Sequence, residues 1–293
     1  SCPAAYSVNL LCCGQAKSMD EYGFFSAAAG FPATGDGEKS FFKKTKTIHM
    51  ERKKYFYILI FCLLALNSTA QNHKSIYKAY ISGDMAKWKK TIDSIEALPD
   101  KSNPVKLDLL NYQYGYIGWC ISKDKKAEAE KFIKKSKELM RQLEQNKYSI
   151  AVLDAYKAAF IGFEIGMSPY KAPFIGKQSL TFFIKLVEAD AQNTLGYVQL
   201  GNIAFYTPKT FGGNKSDAMQ HYLKALKIMD SKNEQKKHNW NYLNLLATII
   251  NAYMEVGDYE SARKYCVRTL AAEPEFDWVK NQLYPQVLKK LKP

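Results

Sequence analysis

The segment from Leu243 to Phe276 constrains the fold more than any other part of the chain; it reads LNLLATIINAYMEVGDYESARKYCVRTLAAEPEF. Its first half has apolar residues at three- and four-residue spacing, which places them on one face of a helix. Gly257 and Asp258 interrupt this pattern, and the Asp258 carboxylate can cap the following helix. The second half repeats the helical spacing until Pro274 ends it. The segment therefore predicts two short helices joined by a tight turn.

A second segment, Thr194 to Asp230, has the same arrangement. Both segments resemble the tetratricopeptide repeat (TPR), a helix–turn–helix unit of about 34 residues. In the 194–230 segment the resemblance rests on Tyr197, Leu200, Gly201, Ala218, Tyr222 and Ala225. In the first segment it rests on Leu246, Ile249, Tyr253, Gly257, Asp258, Tyr259, Ala262 and Pro274. It implies an all-α fold: a right-handed TPR-like α-solenoid of roughly four to five helix pairs, with nearest-neighbour packing and one curved groove.

A further resemblance concerns the turn inside the 194–230 segment. Pro208, Phe211, Gly212 and Gly213 form a P-x-x-F-G-G loop before a helix that carries Ala218. This loop is similar to one found in exported repeat proteins of Bacteroidetes-type bacteria, and the resemblance extends roughly from residue 167 to the end. It indicates a family and implies no chemistry. A phosphate-binding loop is the alternative at Gly212 to Ser216, but a turn followed by an Asn214 helix cap fits the spacing better.

The remaining helices are predicted from the same period. Residues 74–98, 107–140 and 148–189 each read as a helix pair, the last divided by a Pro- and Gly-containing loop at 166–176. Gly115 and Gly118 lie inside a predicted helix, which is tolerable where a neighbouring helix packs against them. A last pair is predicted at 276–291, interrupted by Pro285. Cys120 and Cys266 lie in apolar patterns and are expected to be buried free thiols.

Residues 50–70 have the pattern of a signal peptide. Met50 begins a basic stretch, the apolar run from Tyr55 to Leu66 follows, and small residues precede a predicted cleavage site after Ala70. This predicts a periplasmic or secreted protein; an uncleaved signal anchor is the alternative. Residues 1–49 lack helical or strand periodicity, so we interpret them as a non-globular, non-native or disordered extension. Residues 71–293 form the predicted repeat domain.

The composition argues against several function classes. The chain carries a formal charge of +14, and nearly all of its cations are Lys. Because nucleic-acid readers favour Arg, whose fork matches phosphate and guanine, we expect no nucleic-acid partner. No histidine lies at metal-ligand spacing and no nucleophile motif is present, so neither metal, cofactor nor enzymatic activity is predicted. Membrane contact is expected only through the signal segment before cleavage.

The candidate partner-binding residues lie on the face formed by the first helix of each pair. They are Asn202, Phe205, Tyr206, Asn251 and Met254. In TPR domains that clamp a carboxylate, an Asn at the equivalent position acts with Lys residues, but Val198 and Ala247 occupy positions where Lys would be needed. The predicted binding surface is therefore an aromatic, amide-bearing groove for an extended peptide or a helix. The alternative is that both Asn side chains are solvated or bond between neighbouring helices.

The function predicted from these features is a non-catalytic exported scaffold that binds a protein or peptide through the concave face of a TPR-like superhelix. The alternative is an accessory binding protein for a small ligand or a transport system. In that alternative, the loops 167–176 and 206–214 close a pocket.

Overall fold

The structure is a computed structural model, and it describes residues 70–232 and 236–292. The predictions for residues 1–49 and for the apolar run of the signal peptide lie outside the described residues. All regular secondary structure in the described part is helical. None of the described helices combines the length and apolarity that crossing a membrane requires.

Eleven α-helices occur in the described residues. The first, α1, covers 70–81 in the described part. The others are α2 (Met85–Glu96), α3 (Asn103–Ser122), α4 (Lys126–Gln145), α5 (Ile150–Met167), α6 (Ala172–Ala189), α7 (Thr194–Tyr206), α8 (Lys215–Asp230), α9 (Trp240–Glu255), α10 (Tyr259–Ala272) and α11 (Tyr284–Leu291). Short 3₁₀ turns cover Pro169–Lys171 and Lys209–Phe211, and a π-helical segment covers Val279–Leu283.

The helices pack in successive pairs. Helix α3 packs on α4, α5 on α6, α7 on α8 and α9 on α10, and each pair also contacts the next. Short connections make the two helices of each pair antiparallel. Asp258 caps α10 by accepting from the Ser261 N–H at 3.0 Å, which confirms the turn predicted there. The all-α prediction and the pairwise packing are therefore confirmed.

Two of the inner helices, α3 and α9, are buried on nearly every side. Every residue of α9 from Trp240 to Ile250 is buried, and so is most of α3 from Leu107 to Cys120. A helix that is apolar around its whole circumference must lie in a core. The thiols of Cys120 and Cys266 are both free and buried, as predicted.

The first two helices contact the far end of the described chain. The Tyr80 hydroxyl donates to Asn244 Oδ1 in α9 at 2.7 Å, and the Tyr80 ring centroid lies 5.2 Å from that of Phe276. The rings of Trp88 in α2 and Trp240 in α9 meet edge to face at 5.0 Å. These contacts join residues more than 150 positions apart. An array in which each helix pair touches only its neighbours in the chain would not bring these residues together. We refer to this packing of α1 and α2 on α9 and Phe276 as the end-to-end contact.

Gly115 makes part of the end-to-end contact possible. A Cβ at this position would lie 2.7 Å from Trp240 Cη2 and 2.9 Å from Trp88 Cζ2. Two tryptophan rings therefore occupy the space beside the bare backbone of α3. The expectation that a neighbouring helix packs against this glycine is confirmed. Two helices do so, α2 with Trp88 and the distant α9 with Trp240.

Two predicted boundaries were wrong. The loop predicted at 166–176 is shorter, because α5 extends to Met167 and α6 begins at Ala172. Proline is compatible with the first turn of a helix, where its missing N–H has no partner to lose, so Pro173 lies in the first turn of α6 instead of prolonging the loop. Pro285 likewise does not divide a helix pair. The wider turns of the π-helical segment continue directly into α11, whose first turn contains Pro285.

Candidate functional site

Asn202 points into the protein. It is 8% exposed, and its Oδ1 accepts a hydrogen bond from the Tyr222 hydroxyl of α8 at 2.9 Å. Burial raises the pKa of Tyr222 well above its ordinary value, so this hydroxyl stays protonated and donates. Gly201 provides the room, since a Cβ there would lie 2.4 Å from the Tyr222 ring. The alternative predicted for Asn202, a bond to a neighbouring helix, is confirmed, and its role in partner binding stays a prediction.

Asn251 is half-buried, and its side-chain nitrogen already forms a hydrogen bond within α9. Its Nδ2 donates to the carbonyl oxygen of Ala247, one turn earlier in α9, at 2.9 Å. Within the described residues its Oδ1 accepts no hydrogen bond, and this oxygen is free to accept one from a partner.

Lys215, at the start of α8, connects the carboxyl ends of α7 and α9. The Lys215 ammonium lies 5.2 Å from the centroid of the Phe205 ring and 3.6 Å from Glu255 Oε2. Glu255 directly follows Met254 at the end of α9. Phe205, Tyr206 and Met254 are all half-buried, and the first two rings pack edge to face at 5.1 Å. All five predicted residues lie in the last five positions of α7 and α9, and of these five only Asn202 is buried.

A depression of about 520 Å³ opens beside Met254. Its walls are Met254, Glu255, Tyr259, Gln286, Lys289 and Lys290. Neither Lys289 nor Lys290 forms an ion pair with another described residue, and both are exposed. The depression therefore combines an apolar side chain, one carboxylate and two available ammonium groups. We call the surface formed by Phe205, Tyr206, Lys215, Asn251 and this depression the end-face site.

The residues of α11 in this site are not among the partner-binding residues predicted from the sequence. Their position depends on the π-helical segment, which packs on α9 and α10 and directs α11 alongside them. No local pattern in the sequence specifies that packing. The lysines at 289 and 290 are typical of any solvated helix end.

The loop at 206–214 is a turn with a helix cap. Gly212 has φ +90°, and a Cβ on Gly213 would lie 1.7 Å from the carbonyl oxygen of Thr207, so both positions require glycine. The Asn214 side chain accepts from the Ser216 N–H at 2.9 Å. The predicted turn and cap are confirmed, and they account for the paired glycines without a phosphate ligand.

A titratable cluster lies elsewhere, between α1 and α3. His73 Nε2 is 3.1 Å from Asp108 Oδ2, and the Tyr112 hydroxyl and His73 Nδ1 form a hydrogen bond of 2.7 Å. The hydroxyl donates in this bond when His73 is neutral and accepts when His73 is protonated. Burial raises the pKa of Tyr112 well above its ordinary value, so the hydroxyl keeps its proton. The cluster holds α1 against α3, so the fold itself accounts for it. Among the described residues, no group of three His, Cys, Asp or Glu side chains could hold a metal ion.

Comparisons with protein-family models, with curated protein sequences and with solved structures found no match. The class that the fold establishes is an all-helical protein whose helices pack in successive pairs.

Proposed function

We propose that the protein is a non-catalytic exported scaffold, built as a right-handed TPR-like α-solenoid, that binds a protein or peptide at the end-face site. The repeat assignment is supported by the run of helix pairs from α3 to α10 and by the turn chemistry at Gly212–Asn214 and Gly257–Asp258. The export assignment is supported by the sequence pattern of residues 50–70.

The observation that carries the proposal is that Lys215 contacts the Phe205 ring and pairs with Glu255, which together with Met254 lines an open depression. Half-buried apolar side chains next to unpaired cations suit a peptide segment that carries both an apolar anchor and a carboxylate. Anchors of this kind supply most of the affinity in protein interfaces, and peripheral charges supply orientation and association rate.

The central part of the concave face is a poorer candidate. Asn202 is bonded to Tyr222, and Asn244 is bonded to Tyr80 of α1. Trp240 is covered by Trp88. A partner at these positions would have to displace buried side chains of the protein itself, whereas the end-face site is already accessible.

A peptide-display selection against the purified full chain tests the proposal. Peptides selected on the wild-type chain should bind at least about tenfold more weakly to Met254→Asp and Phe205→Asp, since each change places a charge at an apolar anchor. Lys289→Glu should weaken the binding of acidic peptides only. Val267→Asp is the control for the added charge, because Val267 is also apolar but lies on α10, outside the end-face site, where it is 50% exposed.

Thermal unfolding would first establish that each variant is folded. Equal binding of the selected peptides by all variants, or failure to select any peptide, would refute the end-face site. The alternative function, a small-ligand pocket closed by the loops 167–176 and 206–214, is not favoured by any described contact. Tyr170, Phe174 and Phe211 in or beside these loops point into solvent instead of closing a pocket.

A further inference from the structure

Three aromatic side chains project from the surface in or beside the turns that join the helices of two pairs. Tyr170 and Phe174 lie at the α5–α6 turn and are 74% and 82% exposed. Phe211 lies at the α7–α8 turn and is 79% exposed. Large apolar groups left this exposed on neighbouring elements are typical of contact surfaces.

The two turns lie at the same end of their helices. Because α5, α6 and α7 reverse direction at each short connection, α5 and α7 are parallel, and their carboxyl ends face the same way. The two parallel helices contact each other directly. Packed helix axes are about 8–10 Å apart, so the three rings belong to one edge of the helix array.

The same edge is basic. No Asp or Glu occurs from residue 165 to 187, and none from 191 to 216. Four lysines lie close to the two turns along the chain, Lys171, Lys177, Lys209 and Lys215, whereas Lys185 lies near the other end of α6. Within the described residues only Lys215 has an ion-pair partner, Glu255, so the others offer uncompensated positive charge.

We propose that this aromatic and basic edge docks on an anionic phospholipid surface. Aromatic rings favour the interfacial layer of a bilayer, and lysines near an anionic surface each contribute roughly fivefold to partitioning. The exposed aromatic rings and the lysines together are complementary to a flat, negatively charged, partly apolar surface. A protein partner would instead have to supply a separate pocket for each projecting ring.

This inference goes beyond the proposed function, because the lipid edge and the end-face site share only Lys215 and otherwise use different side chains. It adds a membrane contact to the one expected from the signal segment. The orientation also fits peptide capture, since the end-face site lies at the carboxyl ends of the parallel inner helices α7 and α9, next to the proposed lipid edge.

Vesicle co-sedimentation of the full chain tests the proposal. The vesicles contain either phosphatidylcholine alone or a phosphatidylcholine–phosphatidylglycerol mixture, at the lipid concentration where half of the wild-type chain sediments. The combined variant Tyr170→Ala, Phe174→Ala, Phe211→Ala should partition into the anionic vesicles at least about tenfold more weakly. The variant Lys171→Gln, Lys177→Gln, Lys209→Gln should lose binding to anionic vesicles and keep its binding to neutral ones.

The control variant is Leu98→Ala, Val267→Ala, which removes exposed apolar side chains elsewhere and should partition like wild type. The apolar run at 55–66 is common to all chains, so its contribution cancels in each ratio. Equal sedimentation of the aromatic variant and wild type would overturn the proposal. So would equal binding of the wild-type chain to neutral and anionic vesicles. Absence of vesicle binding, combined with photo-crosslinking from position 174 to a protein in the cell envelope, would replace the lipid by a protein partner.

Discussion

Substituting Gly115 by alanine tests the end-to-end contact most directly. In a helix interior, Gly→Ala alone stabilises the folded state by about 1 kcal/mol through helix propensity. At Gly115 the new methyl group would lie 2.7 Å from Trp240 and 2.9 Å from Trp88, both of them buried rings. The gain in propensity and the steric cost therefore oppose each other at this position.

The steric cost is the larger of the two. Forcing a methyl group into a packed core typically costs about 1–3 kcal/mol, and both neighbours here are rigid indole rings rather than flexible chain ends. We expect Gly115→Ala to lower the free energy of unfolding by up to about 2 kcal/mol after the propensity gain is subtracted. For a domain of this size each kcal/mol corresponds to about 2–4 °C in Tm.

Gly162 provides a matched control within α5. A Cβ there would meet no atom within 4 Å, so Gly162→Ala shows the propensity effect alone and should raise the stability by up to about 1 kcal/mol. Both variants are measured by urea unfolding followed by circular dichroism. The double variant Gly115→Ala, Trp240→Phe should recover part of the loss, because phenylalanine lacks the ring atom that clashes. If Gly115→Ala stabilised the protein as much as Gly162→Ala, Trp240 would not lie on α3 in solution.

Three further predictions concern other contacts. The pKa of His73 is raised by its hydrogen bond to Asp108, so its folded-state value exceeds the unfolded value of about 6.5. The interaction therefore stabilises the fold fully below that pH and is lost as the pH rises through the folded pKa; Asp108→Asn should flatten this part of a stability-versus-pH curve. Tyr80→Phe should cost about 1–3 kcal/mol in urea unfolding, because the Asn244 oxygen loses its donor; an unchanged midpoint would contradict the hydrogen bond. Gly213→Ala should cost more than about 2 kcal/mol by the same assay, since the methyl group would overlap a carbonyl oxygen; a neutral effect would contradict the turn geometry.

The helix pairs could be predicted from sequence because their signals are local. The apolar spacing before Gly257, the capping carboxylate of Asp258 and the stop at Pro274 all lie within one 34-residue segment. The paired glycines at 212 and 213 are required by backbone geometry that also involves only neighbouring residues. Signals of this kind survive in a single sequence without any knowledge of the partner helices.

The end-to-end contact and the end-face site could not be predicted in the same way. Tyr80 and Asn244 are 164 positions apart, and no sequence pattern around either residue indicates that the two are in contact. Helical spacing indicates that a face is apolar, but it does not indicate which helix covers that face. For this reason Asn202 was expected to face outward, whereas Tyr222 of α8 covers it. Spacing likewise could not show that Phe174 is exposed, since an apolar residue at a helix start is compatible with either environment.

The packing of α1 and α2 on α9 limits how this chain can change in length. An open array of repeats gains or loses a pair at its end with little effect on the rest, because each pair touches only its neighbours. Here, duplicating one internal hairpin would move Trp240 away from Trp88 and Gly115, and deleting one would drive the same rings together. The contact between α1–α2 and α9 therefore fixes the number of helix pairs that can lie between them. During synthesis, α1 leaves the ribosome long before α9 exists, so the N-terminal helix has to wait for the last pair before it reaches its final place.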